Sequence, residues 1–303
     1  MSAPSSAARL RGLALIALAA VSWGTTGAVT TLLVTRAGTT PAVIGAARML
    51  VGAVVLVTVA ALSRPQSVAD ALRRAAGRDA WRWLALGACM AAFQVTYFTA
   101  VTHAGIAVTA LVAICSAPLM IAALAPALLG ERLTPRLIAA LALGVAGTAL
   151  LVATPVSGTT APRPVSGVML ALGAGLAYAL YVVIAKRSVA LTPPTVVSAL
   201  TFVVAAIVML PALMTPGTAT HLALGWPEFL YLGAVTTAAA YLLYTVGLRS
   251  VSATAAGVAS LLEPLTATVL GVVLFGERFG VAGWVGAVLL VVGLGLVVAA
   301  ERR

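Results

Sequence analysis

Long apolar runs, separated by short polar segments, follow one another along the whole chain. A helix rises 1.5 Å per residue, so about 20 apolar residues cross the hydrocarbon core of a bilayer. The pattern predicts ten membrane-spanning helices, called spans 1 to 10 below. They lie at residues 12–34, 41–62, 82–101, 107–129, 136–154, 167–185, 194–214, 227–248, 253–275 and 281–299.

Composition agrees with this pattern. Hydrophobic residues make up 62% of the 303 residues and charged residues only 8%, whereas soluble domains carry about 25% charged residues. The sequence therefore predicts an integral membrane protein. The first apolar run follows Arg9 and Arg11 as in a signal peptide, but its length favours a retained helix.

The formal net charge of +11 does not indicate a nucleic-acid partner, because the basic residues are scattered between apolar runs rather than clustered on one face. Both cysteines, Cys89 and Cys115, lie inside apolar runs. Neither a disulfide framework nor metal-ligand spacing is present, so we expect no metal and no cofactor.

The distribution of Lys and Arg predicts the orientation of the chain. An even number of spans places both termini on one side, and cytoplasmic loops are enriched in Lys and Arg. With the N-terminus inside, fourteen of the 18 Lys and Arg residues lie inside, three lie outside and Arg48 lies within span 2. The expected location is a bacterial inner membrane, crossed many times, with both termini cytoplasmic.

The chain repeats itself. The segment "LLGERLTPRLIAALALGVAGTALLV" recurs 146 residues later as "LFGERFGVAGWVGAVLLVVGLGLVV". The same offset aligns Pro118 with Pro264, and an offset of 155 aligns Trp23 with Tyr178. These matches predict one five-helix repeat at 1–154, an outer linker at 155–166 and a second five-helix repeat at 167–303.

Because five is odd, the second repeat must enter the membrane upside down. The predicted fold class is therefore an all-α membrane protein with ten transmembrane helices in two inverted-topology five-helix repeats. Such repeats are typical of secondary transporters, which bind substrate near the midplane and work by alternating access.

Several motifs resemble a known family. They are "WG" in span 1, "AARML" in span 2, "LLGERLT" at the end of span 4 and "LEPLTATVLGVVLFGER" in span 9. The whole chain is similar to the EamA-type branch of the drug/metabolite transporter superfamily. This resemblance implies export of small metabolites, often amino acids, without ATP, and exporters of the aromatic amino-acid type are the most similar. Ala117 precedes Pro118, so the Glu-Pro element of span 9 occurs only once.

Four polar-aromatic pairs with i, i+3 spacing occupy equivalent places in the two repeats. Each pair puts two side chains on one helical face, and a shared substrate cavity would use all four. The candidate substrate-binding residues are Trp23, Thr26, Gln94, Tyr97, Tyr178, Tyr181, Tyr241 and Tyr244. The alternative is internal packing or anchoring at the membrane interface. Anchoring fits Trp81, Trp83 and Trp226 best.

Four further residues are candidates for gating or coupling. Glu263 is the one carboxylate well inside a predicted span, and it must be paired, hydrogen-bonded or protonated there. It either couples protons, or binds a substrate ammonium group, or satisfies backbone groups freed by Pro264. Arg48 either extends to the interface or reaches a substrate carboxylate or a partner glutamate. Pro118 and Pro264 are candidate hinges.

These features favour a secondary transporter that exports small neutral or zwitterionic metabolites. A proton-coupled drug efflux carrier and a lipid flippase or receptor of the same fold remain alternatives. An enzyme is not expected, because the chain has no nucleophile motif and no paired carboxylates within its spans. The expected partners are a small-molecule substrate and the lipid bilayer, and the sequence sets no expectation for the oligomeric state.

Overall fold

A computed structural model describes residues 4–75, 79–152, 163–275 and 280–302, and every regular element in these ranges is helical. The α-helices are α1 Ser6–Gly24, α2 Thr26–Ala37, α3 Pro41–Ser63, α4 Pro65–Ala75, α5 Ala80–Ala104, α6 Ile106–Leu129, α7 Pro135–Val152, α8 Pro164–Leu191, α9 Pro194–Met209, α10 Thr218–Leu224, α11 Trp226–Gly233, α12 Ala240–Leu248, α13 Ala253–Ser260, α14 Leu262–Phe275 and α15 Val281–Glu301. A 3-10 turn at Leu210–Met214 extends α9, and a π-helical turn at Ala234–Ala239 joins α11 to α12.

The predicted all-α membrane fold is confirmed. Within the described ranges, nine helical segments are long and apolar enough to cross a membrane, and the shorter apolar helix at Pro135–Leu151 supplies the place of predicted span 5. Residues 153–162, which include most of the predicted linker at 155–166, lie outside the described residues, as does the second Gly-Glu-Arg segment within 276–279.

Two spans are broken near their middle, and each break has a local cause. Span 1 divides into α1 and α2 at Thr25, whose hydroxyl donates a hydrogen bond to Ser22 O at 2.7 Å and so competes with the helical backbone bonds. Span 9 divides into α13 and α14 at Leu261, three residues before Pro264, which lacks an N–H. Pro118, which aligns with Pro264, instead lies inside the continuous helix α6.

The helices pack through small residues. At the α7–α15 interface, a Cβ atom on Gly147 would lie 2.6 Å from Gly286 O, and one on Gly293 would lie 2.9 Å from Ala140 O. Only glycine allows backbones to approach this closely. The other main pairings join α5 to α8, α6 to α8, α3 to α9, α5 to α9 and α1 to α12.

The first and the last of the described residues lie at one end of the bundle, called the termini end. Ser6 Oγ donates a hydrogen bond to Arg302 O at 3.0 Å, and Arg9 Nε lies 3.3 Å from Glu301 Oε2. The opposite end, where α2 ends and α3 begins, is called the far end.

Candidate functional site

A cavity of about 920 Å³ occupies the centre of the bundle and extends to the far end. Its deepest walls include Trp23 and Tyr241, and its walls near the far end include Thr35, Pro41 and Val101. The volume is at the upper end of the range for small-molecule sites. The cavity therefore gives a solute-sized space access to one end of the bundle.

Ten of the twelve residues singled out from the sequence line this cavity. They are Trp23, Thr26, Arg48, Gln94, Tyr97, Pro118, Tyr178, Tyr241, Glu263 and Pro264. The other two, Tyr181 and Tyr244, are fully buried and lie behind the cavity wall. The structure thus brings residues from both predicted repeats to one place.

Tyr181 and Tyr244 belong to a cluster of aromatic rings that closes the inner end of the cavity. The centroid of Trp23 lies 4.8 Å from that of Tyr241 and 5.4 Å from that of Tyr244. Tyr181 lies 5.9 Å from Tyr241 in an edge-to-face arrangement, and Phe202 packs on Tyr241 at 4.7 Å. Contacts of this kind are favourable beyond the area they bury. This cluster is called the aromatic floor.

Polar contacts close the bundle on the termini side of the aromatic floor. The Glu131 carboxylate accepts hydrogen bonds from Ala253 N at 2.6 Å and Thr254 N at 3.3 Å. Lys186 Nζ donates to the carbonyl oxygens of Leu248 and Val251, at 2.7 and 2.5 Å. The cavity is therefore open at the far end and closed at the termini end.

Arg48 does not extend to the membrane interface. Its side chain is 8% exposed and is held by the π-helical turn, where Nε donates to Thr237 Oγ1 at 3.0 Å and Nη2 donates to Thr236 O at 3.3 Å and Thr236 Oγ1 at 3.4 Å. The two threonines had no signal in the sequence analysis, because a hydroxyl residue in a membrane helix commonly bonds to its own helix.

Glu263 lies at the start of α14 with its side chain on the cavity wall. The sequence suggested that its carboxylate satisfies backbone groups near Pro264, but it makes no hydrogen bond to any of the described residues, so this suggested role has no support here. Backbone contact occurs instead at its carbonyl, since a Cβ atom on Gly24 would lie 2.7 Å from Glu263 O. The two helix breaks therefore meet beside the cavity.

Other cavity residues were missed from the sequence. Phe93 and Phe98 line the wall, and Phe93 packs on Tyr178 with the ring centroids 5.7 Å apart. A Phe in a membrane helix resembles any other apolar residue, so its spacing gave no distinct signal.

The interface anchors differ among themselves. Trp81 and Trp226 are each 63% exposed, as expected for anchors. Trp83 is 4% exposed, with the Arg82 guanidinium 4.6 Å above its ring. Trp83 is therefore a packed residue rather than an exposed anchor.

Within the ranges that the structure covers, no three His, Cys, Asp or Glu side chains come together as a metal site would require. Cys89 and Cys115 are free thiols.

A multi-pass helical bundle with a central cavity that is open at one end and closed at the other has the form of a membrane transporter. A profile of the EamA-like transporter family matches residues 10–153 and matches again at residues 165–299. The chain belongs to the EamA-like transporter family, within the drug/metabolite transporter superfamily, and it is a transporter rather than an enzyme.

Individual relatives agree with this assignment. The chain is 37% identical over 292 residues to the uncharacterized transporter YwfM of Bacillus subtilis, covering 95% of this chain and 94% of the relative. It is 27% identical over 199 residues to an uncharacterized transporter of Archaeoglobus fulgidus, covering 66% and 69%. A solved crystal structure superimposes with a TM-score of 0.80 at 25% identity and covers 99% of each chain.

Proposed function

We propose that this protein is a secondary transporter that exports small neutral or zwitterionic metabolites, amino acids in particular, across a bacterial inner membrane by alternating access. The observation that carries the proposal is the charge of the cavity. Of the described residues on its wall, Arg48 and Glu263 are the charged ones, and their charges are opposite. A cavity without net charge suits solutes without net charge, since charge complementarity governs recognition.

The remaining wall selects for amphipathic solutes. It combines the rings of Trp23, Tyr97, Tyr178 and Tyr241 with threonine hydroxyl groups and the Gln94 amide. Binding sites for small molecules are mostly apolar with a few polar groups that orient the ligand. Aromatic amino acids match this lining best, whereas a phosphorylated solute would need several cationic side chains.

Reciprocal contacts support the inverted repeat that alternating access would use. An offset of 146 converts the contact of Gly147 with Gly286 into a contact of Gly293 with Ala140, and both occur at the α7–α15 interface. In a two-fold arrangement, residue i contacts j while the equivalent of i contacts the equivalent of j. The double match of the family profile to one chain gives further support.

A second pair of contacts follows the same rule at other helices. A Cβ atom on Gly12 would lie 2.7 Å from Val251 Cγ2, and one on Gly167 would lie 2.3 Å from Ala104 Cβ. The offset of 155 that aligns Trp23 with Tyr178 converts Gly12 into Gly167. An offset of 147, which aligns Gln94 with Tyr241, relates Ala104 to Val251 and so converts the first contact into the second. We infer that transport exchanges the conformations of the two halves, so that the far end closes while the termini end opens.

The orientation of the cavity follows from the positive residues. Fourteen of the 18 Lys and Arg residues fall on the predicted cytoplasmic side, which is the termini end. With this orientation, the far end would face outward and the cavity would be in an outward-open state. For an exporter, this is the state that releases substrate.

Transport by purified protein in liposomes tests the proposal. Vesicles loaded with one unlabelled amino acid should accumulate the same radiolabelled amino acid by counterflow. Accumulation of L-phenylalanine and of L-leucine should exceed accumulation of a sugar phosphate measured in the same way. Accumulation of fluorescent phospholipid across the bilayer, with no amino-acid counterflow for any of the twenty, would identify a flippase and contradict the proposal.

A further inference from the structure

We propose that Arg48 and Glu263 form a zwitterion clamp, in which Arg48 Nη1 binds the substrate carboxylate and the Glu263 carboxylate binds its ammonium group. The inference rests on the proposed function, because it assigns the polar contacts of an amino acid in the same cavity. It adds a requirement that the proposed function lacks, namely that both charged groups of the substrate be free.

The hydrogen bonds of Arg48 leave one nitrogen available. An arginine side chain carries five N–H donors. Nε uses its donor on Thr237 Oγ1, and Nη2 is directed at Thr236 O and Thr236 Oγ1. The two N–H groups of Nη1 have no acceptor among the residues that the structure describes, although the side chain is 8% exposed and lines the cavity.

The π-helical turn fixes the direction of this guanidinium. The hydroxyl groups of Thr236 and Thr237 donate their own hydrogens to Leu232 O, at 2.9 and 2.8 Å. Their oxygen atoms can therefore act only as acceptors toward Arg48. Local widening of a helix by a π-helical turn is common at functional sites, and here it supplies three acceptors for one guanidinium.

Close packing of α3 on this turn keeps Arg48 in reach. A Cβ atom on Gly52, one helical turn after Arg48, would lie 2.6 Å from Thr237 Cγ2. Arg48 is thus anchored at two of its three nitrogens before any ligand binds. Preorganised groups bind more tightly, since less conformational entropy is lost on binding.

Glu263 is the acidic group of the clamp, and it makes no direct ion pair with Arg48. The two side chains lie within electrostatic range of each other but are farther apart than a direct ion pair, which the structure records for other residues and not for these two. The carboxylate makes no hydrogen bond to the described part of the chain. An ionised carboxylate in this position needs a partner, and a substrate ammonium group would supply that partner on binding.

Trp23 offers a further hydrogen-bond donor to a polar ligand group in this region. Its side chain is 6% exposed and lines the cavity, yet its indole Nε1 has no hydrogen-bond partner among the described residues. Buried indole N–H groups usually find an acceptor. An amino-acid carboxylate or carbonyl oxygen held by Arg48 would place acceptors in the same cavity.

The first test uses the unmodified protein and four probes. Inhibition of counterflow in proteoliposomes is measured for L-phenylalanine, its methyl ester, N-acetyl-L-phenylalanine and the doubly blocked N-acetyl methyl ester. The methyl ester and the N-acetyl derivative each lose one charge-assisted contact, so each should inhibit counterflow about tenfold or more weakly than L-phenylalanine. Equal inhibition by L-phenylalanine and its methyl ester would overturn the clamp while leaving amino-acid transport intact.

The second test assigns each contact to its residue. In Arg48→Gln, inhibition by L-phenylalanine should weaken by about tenfold, whereas inhibition by the methyl ester should be the same as in the parent protein. In Glu263→Gln, inhibition by L-phenylalanine should again weaken by about tenfold, whereas inhibition by the N-acetyl derivative should be the same as in the parent protein. Arg36→Gln and Glu228→Gln are matched controls, because this pair lies 3.5 Å apart at the surface, with 71% and 18% of the side chains exposed.

The outcomes separate the two claims. Absence of counterflow with any amino acid contradicts the proposed function and the clamp together. Counterflow with equal losses for the amino acid and its ester in Arg48→Gln contradicts the clamp alone. If Arg48→Gln does not fold, Thr237→Val can replace it, because this variant removes the acceptor of Arg48 Nε and retains the charge. It should weaken inhibition by L-phenylalanine and leave inhibition by the methyl ester unchanged. Equal effects on both probes would overturn the assignment.

Discussion

The carboxylate of Glu131 caps the N-terminus of α13, where Oε1 accepts a hydrogen bond from Ala253 N at 2.6 Å. Its second oxygen, Oε2, accepts from Thr254 N and Thr254 Oγ1, each at 3.3 Å. The first turn of a helix has unpaired N–H groups and a partial positive charge, so a carboxylate is stabilising there. The Gly-Glu-Arg segment that follows α6 thus ties the first half of the chain to the second at the termini end.

Removing this cap should loosen the termini end. We expect Glu131→Ala to raise the reactivity of a cysteine at the buried position Ala256 toward a maleimide added from the termini side, in a background without Cys89 and Cys115. Loss of a helix cap costs about 0.5–2 kcal/mol, which corresponds to a rate increase of roughly 2- to 30-fold. The measurement is the labelling rate in oriented vesicles.

Two variants control this experiment. Glu131→Gln keeps one acceptor oxygen and should show a smaller increase. Arg136→Ala alters an exposed charge on the neighbouring helix and should leave the rate unchanged. Equal labelling rates in Glu131→Ala and Arg136→Ala would contradict a closing role for Glu131.

The sequence predicted the spans and most of the cavity wall for a physical reason. Apolar length decides whether a helix can cross a bilayer, and polar side chains in the bilayer interior are costly enough to be informative. Trp23, Gln94, Tyr178 and Glu263 could therefore be singled out from their position in apolar runs, and all four line the cavity.

Distances across the bundle could not be predicted in this way. Tyr178 and Tyr181 share one helical face, yet Tyr178 reaches the cavity and Tyr181 lies behind it, because depth depends on the neighbouring helices. The π-helical turn that holds Arg48 likewise depends on tertiary packing against α3. Local patterns indicate which face is polar, but they do not give the separation between faces.

The α7–α15 interface should tolerate no side chain at its glycines. We expect Gly147→Leu to lower the thermal midpoint in detergent, because its Cβ atom alone would meet Gly286 O at 2.6 Å and Leu290 N at 2.7 Å, both of them backbone atoms. Overpacking costs about 1–3 kcal/mol or more. Gly295→Leu is the matched control, since a Cβ atom there meets nothing within 4 Å. Equal midpoints for the two variants would show that this contact is not tight.

The aromatic wall should matter for transport more than an exposed aromatic residue outside the cavity. We expect Tyr178→Leu and Tyr241→Leu to reduce amino-acid counterflow per folded protein by roughly two- to tenfold, as loss of an aromatic contact predicts. Trp81→Leu should have no effect, because Trp81 is 63% exposed and lies outside the cavity. If all three variants transport equally well, the cavity is not the substrate path.

Cysteine labelling should establish the orientation of the bundle. Thr220 is exposed on α10 near the far end, and Gln66 is exposed on α4 near the termini end. We expect Thr220→Cys to react with an impermeant reagent in intact cells and Gln66→Cys to react only after lysis. The reverse pattern would place both termini outside and would make the observed state inward-open.

Glu263 allows structural support to be separated from proton coupling. Because its carboxylate makes no hydrogen bond to the described residues, Glu263→Gln and Glu263→Leu should leave no backbone group newly unpaired. We expect both variants to melt within about 2 °C of the parent protein, and we expect Glu263→Gln, assayed at saturating L-phenylalanine, to retain whatever response to an imposed pH gradient the parent shows. The reason is that no second cavity carboxylate is present among the described wall residues to relay a proton. A Glu263→Gln variant that folds and transports passively, yet loses accumulation driven by the pH gradient in the parent, would assign proton coupling to this carboxylate.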